Sequence, residues 1–307
     1  MRRDSGGVQP VAREGQTFSG RGAVLRHVNL VRLPHTLFAL PFALVGVVLA
    51  SYIAPITFGA VIWVVVAFTA ARFAAMGFNR IVDREIDARN PRTRMREIPS
   101  GAMTVREAAA AVVVASVLFF VAAWQLNTLC LLLGPLALAW VLFYSYTKRF
   151  TRWSHLVLGI GLSIAPVGGY LAITGRWSSP WWMLVALAIA VASWVAGFDI
   201  LYALQDVSFD RENGLYSVPS TFGEANALGI ARILHFTTVA ALALAGIGAG
   251  AGLVYFAGVV VAAALLLYEH SLVKVDDFSR LDAAFFTMNG VISIVFFGFV
   301  FTERLLR

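Results

Sequence analysis

Residues 57–87 read TFGAVIWVVVAFTAARFAAMGFNRIVDREID. The stretch is apolar as far as Phe78 with a single charge, Arg72, and then turns polar through Asn79, Arg80, Asp83 and Asp87. Crossing the hydrocarbon core of a bilayer takes ~20 mostly apolar residues, so the run is long enough to span. It shows no period-two alternation, which excludes the short strands of an outer-membrane barrel. Continuous apolar runs of the same kind fall at 36–53, 57–80, 107–125, 128–146, 154–174, 181–205, 224–247, 251–268 and 283–302. In lipid a helix satisfies its own backbone groups and an open sheet cannot. The expected fold is therefore an all-α polytopic membrane protein of about nine transmembrane helices.

Composition agrees. Of 307 residues 59% are hydrophobic and 13% charged, against roughly 45–50% and 25% in soluble domains. That balance excludes a soluble enzyme and also a disordered chain, which needs low hydrophobicity and high net charge. One cysteine, Cys130, permits no intrachain disulfide and reads as a small apolar residue. The five histidines, His27, His35, His155, His235 and His270, show no metal-type spacing. The run 246–252, GIGAGAG, reads as a tight turn or a close helix contact.

The net charge of +7 reflects topology, not nucleic acid. Residues 1–34 and the connections after the second, fourth, sixth and eighth segments carry 19 of the 24 Lys and Arg. The opposite side carries only Arg176, Arg304 and Arg307. By the positive-inside rule the amino terminus and the even-numbered loops face the cytoplasm of an inner or plasma membrane. Residues 1–25, polar and rich in Gly and Arg, read as a disordered cytoplasmic tail. Residues 26–307 read as one integral-membrane domain, with motif-bearing halves at about 30–150 and 151–270 and a last helix at 283–302.

The acidic residues carry chemistry, because topology does not require them. Five of 17 lie in 83–107 and four in 199–212, at the cytoplasmic ends of the second and sixth helices. Asp83 and Asp206, and likewise Asp87 and Asp210, are 123 residues apart, and Ile98-Pro99-Ser100 is echoed by Val218-Pro219-Ser220. An offset of four helices makes this a parallel internal repeat. Asn79, Asp83 and Asp87 recur every four residues, so one continuous helical face is expected, as it is for Asp199, Tyr202, Asp206 and Asp210. Hard carboxylate oxygens with room left for water and phosphate suit Mg²⁺. Arg92 with Arg96, and Tyr144-x3-Lys148-Arg149, place cations for phosphate oxygens at the same level. Arg72 and Asp199 sit inside apolar runs, where an ionisable group faces a cavity or a partner. No P-loop or GxGxxG is present.

Asn79-x3-Asp83-x3-Asp87 with Asp199-x2-Tyr202-x3-Asp206-x3-Asp210 resembles the UbiA superfamily of intramembrane prenyltransferases, over residues of about 25–305. The phrase Asn90-Pro91-Arg92-Thr93 followed by Arg96-Glu97-Ile98-Pro99-Ser100-Gly101 is similar to the bacterial 4-hydroxybenzoate polyprenyltransferase-like and MqnP-like branch. Arg80 departs from the many members with a second acid there. The resemblance implies a helical ring around a central cavity, capped by the loops after helices two and six. It implies Mg²⁺ on Asp83, Asp87, Asp206 and Asp210, and Asn79, Arg72, Arg92, Arg96, Tyr144, Lys148 and Arg149 toward the diphosphate or the aromatic substrate. Asp199 and Tyr202 would orient the acceptor hydroxyl or take a proton. The implied reaction moves a polyprenyl group from an allylic diphosphate to an aromatic acid in ubiquinone or menaquinone biosynthesis. The implied partners are the two substrates and the bilayer, with no nucleic acid and no obligate protein partner.

Haem O and chlorophyll synthases share the scaffold but match the longer phrase less well. A CDP-alcohol phosphotransferase needs a D-G-x2-A-R motif that is absent. A cation transporter would place its acids near the midplane in broken helices, not at cytoplasmic ends. The charge count yields a test of orientation. In a Cys130-free background, cysteines introduced near Thr93 and Ser208 react only with reagents that reach the cytoplasm, and one near Ser178 labels from outside; external labelling near Thr93 reverses the assignment.

Overall fold

A computed structural model describes residues 23–30, 33–273 and 287–307. The expected tail, up to residue 22, lies outside the described residues, as do Lys274, Arg280 and the start of the ninth segment. The described residues form helices and no strand. In chain order the helices are α1 Ala23–Leu30, α2 Leu33–Ala50, α3 Phe58–Val82, α4 Arg84–Arg89, α5 Val105–Leu126, α6 Thr128–Thr147 and α7 Ser154–Thr174. There follow α8 Trp182–Ala203, α9 Val207–Glu212, α10 Val218–Phe222, α11 Glu224–Ala249, α12 Leu253–Leu272 and α13 Asn289–Leu305.

The apolar runs fall on long helices wherever they are described, and among the described residues seven helices are long and apolar enough to cross by length and composition. The first and last runs fall on α2 and α13, of which only Ala39–Ala50 and the residues from 287 on enter that count. α13 has 17 residues and ends among Glu303 and Arg304. Both still belong to the body, because α2 packs on α13 and on α7.

Consecutive long helices are spatial neighbours from α2 through α3, α5, α6, α7, α8, α11 and α12 to α13, and α13 returns to α2, closing a ring. α8 is buried on nearly every side, with fifteen of its 22 residues covered. A helix apolar all round is what such a position requires. Between Ala110 and Trp124 of α5 the exposed residues are apolar, including Val113, Val114, Val117 and Trp124. An outward apolar face suits hydrocarbon rather than water.

Close approach of backbones depends on small residues. A Cβ on Gly46 would meet the Pro166 carbonyl, one on Gly169 the Ala43 carbonyl, and one on Gly159 the Ala192 carbonyl. The 246–252 run does both things expected of it. Gly246 lies against the Tyr255 ring, and Gly250 turns the chain at φ 63°.

Thr93 and Ser178 are buried, so their exposed neighbours Arg94 and Ser179 are the better labelling sites on the two faces. Gly159→Val should destabilise the purified protein by about 1–3 kcal/mol through overpacking, read as a fall in Tm in detergent. Gly168→Ala, with open space around its Cβ, should leave Tm unchanged; equal losses in the two would contradict the α7–α8 contact.

Candidate active site

Asp83 stands between α3 and α4 at φ −90°, ψ 4°. Asp206 ends the 3₁₀ turn Leu204–Asp206 between α8 and α9 at φ −107°, ψ 8°. Both occupy the sparsely populated bridge region. Each precedes a six-residue helix whose fourth residue is the second carboxylate, Asp87 or Asp210. The continuous faces expected from period-four spacing are therefore bent at an aspartate. In the first motif the ladder survives the bend, with Asp83 N–H donating to the Asn79 carbonyl and Asp87 N–H to the Asp83 carbonyl, both at 2.8 Å.

The carboxylates are engaged by cations. Asp83 accepts from Arg149 Nη2 at 2.8 Å and from Asn79 Nδ2 at 2.9 Å. Asp87 accepts from Arg96 Nη1 at 2.7 Å, and its Oδ2 lies 4.0 Å from Arg80 Nη1. Asp206 receives the Arg92 fork, Nε to Oδ1 at 3.1 Å and Nη2 to Oδ2 at 2.6 Å, and also Asn90 Nδ2 at 3.1 Å. Arg92 and Asn90 follow the first motif and Asp206 belongs to the second, so this cluster joins the two halves. The third Arg92 nitrogen donates to the Tyr202 hydroxyl at 2.7 Å. Burial pushes the Asp83 carboxyl up, against the Arg149 charge and hydrogen bond.

Lys148 sits among the acids. Burial alone would lower its ammonium, but Asp210, Tyr144, Asp199 and Asp206 outweigh burial and hold it above its usual range. Tyr144 is within electrostatic reach of Asp199, Lys148, Asp83 and Arg96. Arg149 also donates to the Ser145 and Val82 carbonyls. Arg72 is partly buried on α3, seven residues or ~10 Å deeper than Asn79. Asp199 Oδ2 pairs with His155 Nδ1 at 2.7 Å.

Among the described residues no three Asp, Glu, His or Cys side chains converge closely enough to enclose a metal by themselves. The donor set still suits Mg²⁺, which typically takes one or two carboxylates and fills its shell with water and phosphate. One buried oxygen in each motif, Asp87 Oδ2 and Asp210 Oδ2, accepts no hydrogen bond.

Two residues escaped the sequence reading. His155 was indistinguishable from the other scattered histidines, because its partners lie 44 and 63 residues away. Asn90 carried a hint, since an Asn-Pro pair marks a turn. It is buried, accepts from the Arg92 N–H at 2.9 Å and so shapes the turn that presents the arginine.

Fold and site together define a multi-pass helical membrane protein with a duplicated, cation-clamped acidic motif. The UbiA prenyltransferase family matches residues 39–291, and the chain belongs to that family as a prenyltransferase. A 4-hydroxybenzoate octaprenyltransferase of Nitrosomonas eutropha is 31% identical over 227 residues, 74% of this chain and 78% of that one. The structure of a UbiA homolog from Aeropyrum pernix K1 superposes with a TM-score of 0.80 at 33% identity, covering 88% of this chain and 98% of that chain. A UbiA homolog from Archaeoglobus fulgidus, solved bound to DMAPP and Mg²⁺, shares the fold with a TM-score of 0.68 at 20% identity, covering 92% and 100%.

Arg92→Lys keeps the charge but loses the fork. It should cost about 2 kcal/mol of stability, the scale of a hydrogen bond to a charged group, read as a lower Tm in detergent. Arg94→Lys, on an exposed neighbour, should shift Tm little; a silent Arg92→Lys would remove the clamp from the account of the site.

Proposed function

We propose that this prenyltransferase moves a polyprenyl group from an allylic polyprenyl diphosphate onto an aromatic hydroxy acid, 4-hydroxybenzoate or a dihydroxynaphthoate-type acid, for quinone biosynthesis. It works at the cytoplasmic face of the cell membrane, with the amino terminus on the same side. The observation that carries this reading is the Arg92–Asp206 clamp, which joins the two acidic motifs at the polar ends of apolar helices. The relatives named 4-hydroxybenzoate octaprenyltransferase support the acceptor class.

Asp83, Asp87, Asp206 and Asp210 would hold Mg²⁺, with Asn79 orienting Asp83 through its 2.9 Å bond. Bound there, the ion supplies Lewis-acid neutralisation of the diphosphate. Lys148, Arg92, Arg96 and Arg149 bind the remaining phosphate oxygens, and Arg72 lies deeper toward the acceptor carboxylate. The allylic C–O bond breaks with both electrons leaving on the diphosphate. The electron-rich ring carbon forms the new C–C bond and loses its proton. Asp199 and Tyr202 orient the acceptor hydroxyl, and Asp199 takes the displaced proton. Tyr144 lines the space between head group and ring. The helices exclude water, which would otherwise capture the allylic cation.

Two substitutions separate the roles. With geranyl diphosphate and 4-hydroxybenzoate, Asp206→Ala should lower product formation by at least ~10², the scale of removing a transition-state charge stabiliser, and weaken Mg²⁺-dependent diphosphate binding. Asp199→Asn should leave diphosphate affinity intact and impair transfer. Equal loss of affinity in both variants would place Asp199 in the metal site.

A further inference from the structure

His155 lies in the first turn of α7 and is fully buried. Its Nδ1 lies 2.7 Å from Asp199 Oδ2, and its Nε2 lies 3.2 Å from the backbone nitrogen of Val218. A backbone N–H can only donate, so Nε2 must present its lone pair. The ring proton is then on Nδ1 and points at Asp199. Both nitrogens are committed, and the tautomer is set by the chain's own backbone.

Val218 is the first residue of α10, whose N-cap is a reciprocal box between Ser217 and Ser220. The Ser217 hydroxyl also hydrogen-bonds Asp210. Adjacent residues of one turn therefore hold Asp210, on the diphosphate side, and, through His155, Asp199 on the acceptor side. The aspartate keeps some exposure, with 15% of its side chain accessible against 0% for the imidazole.

We propose that His155 is a positioning residue for the acceptor step. Locked as the Nδ1–H tautomer by the Val218 amide, it fixes one oxygen of Asp199 and leaves the other to meet the acceptor hydroxyl. This rests on Asp199 serving the acceptor, but the tautomer itself does not. The logic is that of a metal-ligating histidine oriented by an outer partner, with the roles reversed so that the histidine orients the carboxylate.

The test uses the full chain in detergent with ¹⁵N-labelled histidine. The signal lost in His155→Asn identifies the residue. In the unsubstituted protein it should carry the signature of a protonated Nδ1 and a bare Nε2; a protonated Nε2 or an imidazolium overturns the proposal. Val218→Pro removes the N–H at a helix position that suits proline, and should leave Nε2 without its donor, shifting the Nε2 resonance and letting that nitrogen take a proton while Asp199 still accepts from Nδ1. If the Nε2 signature is unchanged in Val218→Pro, the amide does not bond that nitrogen and the proposal fails.

Kinetics with geranyl diphosphate and 4-hydroxybenzoate give the second readout. His155→Phe should lower kcat/KM for 4-hydroxybenzoate by ~10–100-fold, the range for losing an outer-shell partner, with geranyl diphosphate affinity unchanged. His155→Asn, which keeps a donor near the Nδ1 position, should recover part of that loss. Parallel loss of donor affinity, or no loss in folded His155→Phe, refutes the positioning role. If 4-hydroxybenzoate is not consumed even by the unsubstituted protein, the acceptor assignment fails, while the tautomer signature still decides the Val218–His155–Asp199 link.

Discussion

Hydrocarbon offers no hydrogen-bond partner, so a bent backbone or an ionised carboxylate near the bilayer must be satisfied by the protein itself. This constraint shapes the active end of the molecule. Both breaks, at Asp83 and Asp206, occur where long helices reach their polar ends, and each is covered by a guanidinium from another segment: Arg149 for Asp83 and Arg92 for Asp206. The Arg92–Asp206 pair is buried, so removing one partner strands a charge, which costs far more than losing a surface ion pair. The clamps therefore bind loop to helix as firmly as they shape the site.

The ring follows from the same solvent. Lipid gives helices no hydrophobic reason to associate, so contact has to come from close packing and small residues. Gly46, Gly169 and Gly159 let carbonyls of facing helices approach within side-chain distance. These contacts tie α7 to both α2 and α8. α7 also carries His155 in its first turn, so the helix that sets the packing also carries a polar strut to the site.

Much of this was legible in the residues. The nine apolar runs fall on long helices because a continuous apolar run leaves the backbone one choice in lipid. The acidic motifs fall at helix ends because charge cannot lie deeper without cover. What stayed hidden is what spacing does not encode. A four-residue period fits an unbroken helix and equally two helices hinged at Asp83. Charge counting treats Arg92, Arg96 and Arg149 alike as loop cations, whereas the fold assigns each a carboxylate, one of them 114 residues away. Among the described residues seven helices meet the length of a crossing. His155 gave no local signal at all.

The hinge at Asp206 has a geometric consequence for chemistry. From Asp199 the chain climbs through the end of α8 at ~1.5 Å per residue and then through a 3₁₀ turn at ~2.0 Å. The two carboxylates are thus separated by roughly 12 Å along the axis, whereas Mg²⁺ holds its ligands at ~2.1 Å. No single ion can be gripped by both. A continuous α-helix would have stacked them on one stripe; the tighter turn lengthens the step and rotates the second motif away from it. The same turn lets Tyr202, one side chain between them, accept from the Arg92 that clamps Asp206. The backbone thus separates a shallow, cation-rich level from a deeper one holding Asp199 and His155. An allylic carbon that loses diphosphate on one side and meets an acceptor ring on the other would use that separation.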